Sequence, residues 1–218
     1  MGKKIGVVLS GCGVFDGAEI HEATLTLFFL DRVGAEAICY APDIAQHHVI
    51  NHLTGSEMDE TRNVMVESAR IARGKITPLS EARAEDMDAL ILPGGFGAAK
   101  NLSSVAFDGA EATVNSDLAL LLGEIKAAGK PIGAMCISPA VVSKALAEQG
   151  VTVTIGDDAG TAGAIEAMGN THQTSAVEQI VVDDANNIVT TAAYMCAASI
   201  AQVGEGIEKL VAEVLKRA

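Results

Sequence analysis

Lys130–Gly150 reads KPIGAMCISPAVVSKALAEQG: an apolar run, a cysteine at its end, then apolar residues at helical spacing with Gly150 as the stop. Strand, cysteine, helix is the order that places Cys136 on a sharp turn. Ala134 and Ser138, two positions to either side, are small enough for such a turn. Pro139 is tolerated in a first helical turn, where it removes no bonded N–H. The same logic underlies the nucleophile elbow, a strained strand-to-helix turn that exposes a nucleophile at the end of the sheet. A thiol there sits at the positive end of a helix, which is expected to lower its pKa and raise its thiolate fraction. Cys136 is therefore read as a nucleophile rather than a buried inert thiol. Cys39 falls within an expected strand, Cys12 in a loop and Cys196 near an expected helix start without a matching turn, and all three are read as inert.

Around this unit, short apolar runs alternate with helical patterns. The runs are Lys4–Ser10, Ala35–Ala41, Asp88–Gly95, Lys130–Met135, Val151–Ile155, Gln179–Asp184 and Asn187–Ala192; the helical patterns are Glu19–Val33, Met58–Arg73, Ser116–Ala128, Ile137–Gln149 and Ala197–Lys216. Nearly continuous apolar strands suit a mostly parallel sheet with helices on both faces. Functional groups in such sheets gather at the carboxyl ends of the strands. Three loops fall there: SGCGVFDGAEIHE, PGGFGAAKN and the one that holds Cys136. No repeat, linker or charge block marks a second domain, so residues 1–218 are read as one domain.

Addition of a thiolate to a carbonyl needs donors for the developing oxyanion. LPGGFG ends a strand with two glycines that let the chain approach a ligand closely, and the backbone N–H groups of Gly95 and Ile137 are the expected donors. An acid must come from another strand end. Glu19 and Glu22, three positions apart in DGAEIHEATLTL, are the candidates, each open to the simpler role of a dipole partner in a first helical turn.

Composition narrows the function. The chain has 218 residues, 49% apolar, with 15 Lys and Arg against 28 Asp and Glu, a net charge of −13. Such a charge repels nucleic acid and anionic membrane surfaces, so neither is an expected partner. The four cysteines form no CxxC pair, which argues against a disulfide framework or thiolate zinc site and for a reducing, cytoplasmic setting. The start MGKKIGVVLSGCG has an apolar stretch, Ile5–Leu9, shorter than a signal-peptide core, and reads as a first strand. No stretch is long and apolar enough to span a bilayer. His47, His48 and His52 lack regular spacing with carboxylates, so no metal is expected. GCGVFDG with Asp43 is a loose match to a dinucleotide loop, and no cofactor is expected either.

VVLSGCGVFDGAEIHEA, INHLTG, ETRNV, LPGGFGAAKNL and MCISPA together resemble the ElbB family (enhancing lycopene biosynthesis, or sigma-cross-reacting protein) along essentially the whole chain. That family lies in the class I glutamine amidotransferase-like superfamily, in the branch with PfpI-type proteases and the parkinsonism-associated deglycase. The resemblance implies a flavodoxin-like three-layer α/β sandwich and a cofactor-independent glyoxalase that turns glyoxal, a small dicarbonyl, into glycolate. Protein deglycation is an alternative account of that activity, and a homodimer is the expected assembly. Carried over, the elbow cysteine is Cys136, the oxyanion glycine is Gly95 and the acid facing the thiol aligns best with Glu22. One departure matters: many superfamily members place a histidine at the end of the next strand, where this chain has Gly156. That departure argues against glutamine hydrolysis and favours, as a rival, a sensor whose Cys136 is modified without turnover. His21 is expected to point away from Glu22, on another face of the helix.

Overall fold

The computed structural model describes residues 2–196 and 198–218. Its strands are β1 (Lys4–Val8), β2 (Glu36–Ala41), β3 (Ile76–Pro78), β4 (Ala89–Leu92), β5 (Ile132–Met135), β6 (Thr152–Val153), β7 (Thr171–His172), β8 (Ile180–Asp183) and β9 (Ile188–Thr191). Its helices are α1 (Ile20–Arg32), α2 (Val64–Ile71), α3 (Phe96–Lys100), α4 (Val105–Asp108), α5 (Ser116–Ala127), α6 (Ser138–Ala145), α7 (Ala159–Ala167) and α8 (Ile200–Arg217).

Every residue of β4, β5 and β9 is buried, as expected of strands sandwiched between helical layers. These strands form the centre of a sheet ordered β3-β2-β1-β4-β5-β9-β8, parallel throughout except for β8, which runs antiparallel to β9. The two-residue strand period divides the core. Leu90 and Leu92 of β4 pack on one side with Leu118, Leu122 and Ile125 of α5 and Val141 of α6. Ala89 and Ile91 face the other side with Leu30 of α1 and Ile207, Leu210 and Val214 of α8. The result is a flavodoxin-like three-layer sandwich. The chain runs outward from β1 to β2 and β3, then returns to place β4 on the other flank of β1. This reversal opens a crevice at the carboxyl ends of β1 and β4, beside β5.

Beyond short elements such as β3, β7, α3 and α4 that the sequence reading does not include, three differences stand out. Val151–Ile155 stays out of the main sheet and forms only β6, paired with β7. Side chains rather than backbone of the main sheet take its amides: Thr152 N–H donates to Asp183 Oδ2 at 2.7 Å and Thr154 N–H to Thr190 Oγ1 at 2.9 Å. The helix expected from Met58 begins at Val64, capped by Asn63, whose side chain accepts from the Val66 N–H. Upstream, bridges between Ile50 and Glu57 and between Ala45 and Asn63 hold the chain extended. Finally, α7 (AGTAGAIEA) forms with Asp158 as its cap, although it buries only Ile165 and so lacks an apolar stripe. Among the described residues no helix is long and apolar enough to cross a membrane.

Gly123 lies on the exposed face of α5, and a Cβ there meets open space. Gly123→Ala is expected to stabilise the protein by about 0.5–1 kcal/mol through helix propensity alone. Denaturant unfolding checks this, and a loss of stability contradicts the packing of α5 described above.

Candidate active site

Cys136 follows β5 directly, with its backbone at φ +59°. For a non-glycine residue this conformation costs on the order of 1–3 kcal/mol and persists only where neighbours enforce it. They do so from both sides: the Cys136 N–H donates to Thr191 O of β9 at 3.1 Å, and Ser138 Oγ donates to Pro93 O at 2.7 Å. The thiol is 7% exposed. Its sulfur lies beside the carboxyl of Glu22 and the backbone amides of Gly95 and Ile137, near enough for all three to act on its titration, and a Cβ placed on Gly94 would lie 3.0 Å from it. Cys136, Glu22, Gly95 and Ile137 thus meet at one point.

Glycine is required on the β4 side. Gly95 adopts φ +94°, and a Cβ there collides with Gly17 O and the Glu19 amide. At Gly94 a Cβ would lie 2.5 Å from Cys136 Cβ and 2.9 Å from Glu22 Oε2. The same segment zips onto the loop after β1. Glu19 N–H donates to Gly94 O at 2.9 Å, Phe96 N–H to Val14 O at 2.8 Å and Gly97 N–H to Gly17 O at 2.9 Å. Asn101 clamps this loop further, donating from Nδ2 to Ser10 O at 2.9 Å and to Asp16 O at 3.0 Å. Asn101 ends the stretch PGGFGAAKN singled out in the sequence, but nothing there assigns it this role.

The two candidate acids separate cleanly. Glu19 caps α1, its carboxylate accepting from the Glu22 N–H at 2.7 Å. Glu22 has no solvent exposure and turns inward. Its Oε2 accepts from Gly94 N–H at 2.8 Å and its Oε1 from Tyr194 N–H at 3.3 Å. Burial, and then the charge of Glu19, push Glu22 up to about 8, against the pull of the two amides and of the Cys136 hydrogen bond.

The expectation of a lowered thiol pKa is corrected. Burial first and the Glu22 charge second push Cys136 well above its ordinary range, and the amides of Gly95 and Ile137 oppose them. Desolvation of a thiolate outweighs the end of a short helix. The two groups are better described as one titrating pair. With the proton on Glu22, the contribution of its charge disappears and a sulfur anion faces two N–H donors. The remaining thiols lack this arrangement. Burial raises all three, Cys39 to about 11.

The histidine sought at Gly156 has no room. Gly156 sits at φ +88°, and a Cβ there would lie 2.7 Å from Cys196 Sγ and 3.1 Å from Ala192 Cβ. His172 accepts from the Ile155 N–H at 3.3 Å and ties β7 to the chain after β6. His47 and His48 pack against Phe107, and His52 accepts from the Phe15 N–H at 3.2 Å. Among the described residues no group of three or more His, Cys, Asp and Glu is placed to hold a metal. Four amides of GCGVFDG are already engaged, Gly13 donating to Ala18 O, Gly17 to Gly13 O, Gly11 to Ser68 Oγ and Phe15 to His52 Nε2, and Asp43 accepts from Asn63 Nδ2. This leaves the loop poorly suited to cradling a phosphate. His21 is exposed, as expected, yet it lies close to the site, its Nδ1 2.8 Å from the hydroxyl of Tyr194. Tyr194 carries no sequence signal of its own. It follows Ala193, another non-glycine residue at positive φ (+42°), just beyond β9. A cavity of about 480 Å³ includes Cys136 in its lining, together with Gly95, Phe96, Ile137, Tyr194 and Met195 among others.

A scan against protein-family models gives no match. The chain is 48% identical to human glutamine amidotransferase-like class 1 domain-containing protein 3, mitochondrial, over 98% of this chain and 82% of that protein. The ES1 protein homolog, mitochondrial, of rat is 47% identical over 98% of this chain and 83% of its own. This chain belongs to the ES1 family of glutamine amidotransferase-like class 1 domain proteins. Among solved structures, the isoprenoid biosynthesis protein with an amidotransferase-like domain from Ehrlichia chaffeensis aligns at TM-score 0.93 and 39% identity, covering 99% of both chains. Drosophila melanogaster DJ-1beta, at TM-score 0.54 and 18% identity over 100% of this chain and 96% of that one, shares the fold. The cytoplasmic location expected from cysteine usage is corrected by the names of these ES1 relatives, which are mitochondrial. Free thiols report a reducing setting and do not say which compartment supplies it.

The raised pKa of Glu22 has a thermodynamic signature. Between its ordinary value of 4.5 and its native value of about 8, the native state keeps a proton that the unfolded chain has released. Stability therefore falls as pH rises through that window, by about 1.4 kcal/mol for each pH unit crossed. Gln has no such proton. The melting temperature of Glu22→Gln minus that of the parent is expected to grow from about pH 5 to about pH 8 and then level off. A difference that stays flat across this range contradicts the protonation assigned to Glu22.

Proposed function

We propose that this chain is a cofactor-independent glyoxalase of the ElbB type, converting glyoxal and related 2-oxoaldehydes to 2-hydroxy acids. The proposal rests on the placement of a fully buried carboxyl, Glu22, beside an elbow thiol, Cys136, across Gly94 and near the Gly95 and Ile137 amides. The sulfur attacks one aldehyde carbon, forming the S–C bond of a hemithioacetal, and the oxygen of that carbon is held by the two amides. Glu22 moves protons: one leaves the first carbon and one arrives at the second through an enediolate. The first carbon is oxidised to a thioester while the second is reduced to an alcohol, so no external electron carrier is needed. Water cleaves the thioester, its oxygen staying on the acid and the thiol returning, and glyoxal plus water has become glycolate.

The amidotransferase part of the family name fits this site less well, because the histidine that would assist glutamine hydrolysis is absent and Cys196 crowds its place. The same absence supports one rival, a carbonyl or redox sensor in which Cys136 is modified without turnover, with deglycation as a variant use of the thiol.

Glycolate formation from glyoxal, followed with purified protein, tests the reading. Cys136→Ala is expected to abolish it and Glu22→Gln to lower kcat/KM by about 10²–10⁴-fold, while EDTA and exhaustive dialysis leave the rate unchanged. A parent protein that forms an adduct at Cys136 but no product supports the sensor. Full activity in Cys136→Ala ends the proposal.

A further inference from the structure

Glyoxal has four heavy atoms, and the cavity over Cys136 has about 480 Å³, a volume in the range of sites for much larger ligands. The room exists because its walls carry little bulk. α7 presents Gly160 and Ala164, and α4 and the turn after it present Ala106 and Gly109. Most of the larger side chains lining it are apolar, Phe96, Val105, Ile137 and Met195 among them, with hydroxyls from Thr161 and Tyr194. Among the described residues lining the cavity there is no Lys, Arg or His, and the charged group is Asp158. Its carboxylate is engaged as the cap of α7, accepting from the Thr161 N–H at 2.7 Å, and that hydrogen bond holds it below its ordinary range. Water in such a hollow finds few polar partners, so an apolar group that displaces it gains affinity. An anionic group meets Asp158, no cation and a chain of net charge −13.

Resting on the reading of Cys136 as a carbonyl-adding thiol, we propose that the preferred substrate is a 2-oxoaldehyde carrying an uncharged apolar substituent larger than methyl. The aldehyde carbon bonds to sulfur and the substituent, borne on the neighbouring ketone carbon, lies between α3, α4 and α7. The chemistry balances as before: the aldehyde carbon ends as a carboxylate, the ketone carbon as a secondary alcohol, and one water is consumed.

The test is a substrate series on the unaltered protein: glyoxal, methylglyoxal, n-butylglyoxal, phenylglyoxal and a 2-oxoaldehyde of similar length ending in a carboxylate. The expected result is a rise in kcat/KM of roughly fourfold per added methylene, with the carboxylate-tailed compound below methylglyoxal. Ala164→Phe, at a partly exposed position, should cut the butylglyoxal-to-glyoxal ratio at least about tenfold. A ratio that falls or stays flat with substituent length, or that Ala164→Phe leaves untouched, overturns the proposal. A second measurement needs no turnover: protection of Cys136 from iodoacetamide by simple n-alkanals. If the half-protecting concentration falls roughly fourfold per methylene while no 2-oxoaldehyde of the series gives product, the cavity assignment stands and the glyoxalase reading falls. Protection independent of chain length overturns the cavity assignment whatever the turnover.

Discussion

A carboxyl with no access to water touches a thiol with almost none, so a charge on either one is costly and a charge on both at once is more costly still. That contact between Glu22 and Cys136 constrains everything near it. It brings the start of α1 over the end of β5, which in turn requires the loop after β1 and the turn after β4 to interlock by backbone hydrogen bonds. Gly94 is where they touch. Its N–H donates to Glu22 and its carbonyl accepts from Glu19, so one residue fixes both the acid and the helix start that carries it. Any side chain at that position would occupy the space in which acid and sulfur meet.

Strain and desolvation are concentrated at the same place. Cys136 and Ala193 both take positive φ at the ends of neighbouring strands, β5 and β9, and Tyr194, just after Ala193, completes the hydrogen bonds of Glu22. A thiol raised by burial would be a poor nucleophile if the carboxyl beside it were always charged. Because burial raises the carboxyl as well, the proton has somewhere to go, and two amides wait for the charge left on sulfur. In the proposed mechanism the pair takes the part expected of a histidine at Gly156, without a base that must reach in from there. That position is closed by Cys196 and Ala192.

The elbow is legible in the sequence because it is local: an apolar strand, small residues at Ala134 and Ser138, Pro139 in the first turn and a glycine stop all lie within one stretch. The parallel sheet is legible for the same reason, since β4, β5 and β9 are short runs of residues that suit burial on both faces. Contacts between distant segments are not. Val151–Ile155 has the pattern of a strand, yet its amides go to the side chains of Asp183, Thr190, Asn170 and His172 and it pairs with β7, outside the main sheet. Tyr194 and Asn101 act through a few backbone and side-chain hydrogen bonds that leave no periodic trace. The thiol pKa runs opposite to the sequence expectation because a helix end is visible in sequence, whereas the depth of burial that outweighs it is a property of the assembled layers. Choosing Glu22 over Glu19 needs the family resemblance; spacing alone allows both, and the structure separates them by giving Glu19 the cap.

The central claim is that Glu22 and Cys136 titrate as one unit. It is tested most directly by the rate of Cys136 alkylation by iodoacetamide measured against pH, in the parent and in Glu22→Gln. Two macroscopic steps are expected in the parent, because protons leave the pair successively, and a single step in Glu22→Gln, where only the thiol titrates. Superimposable profiles in the two proteins would contradict it.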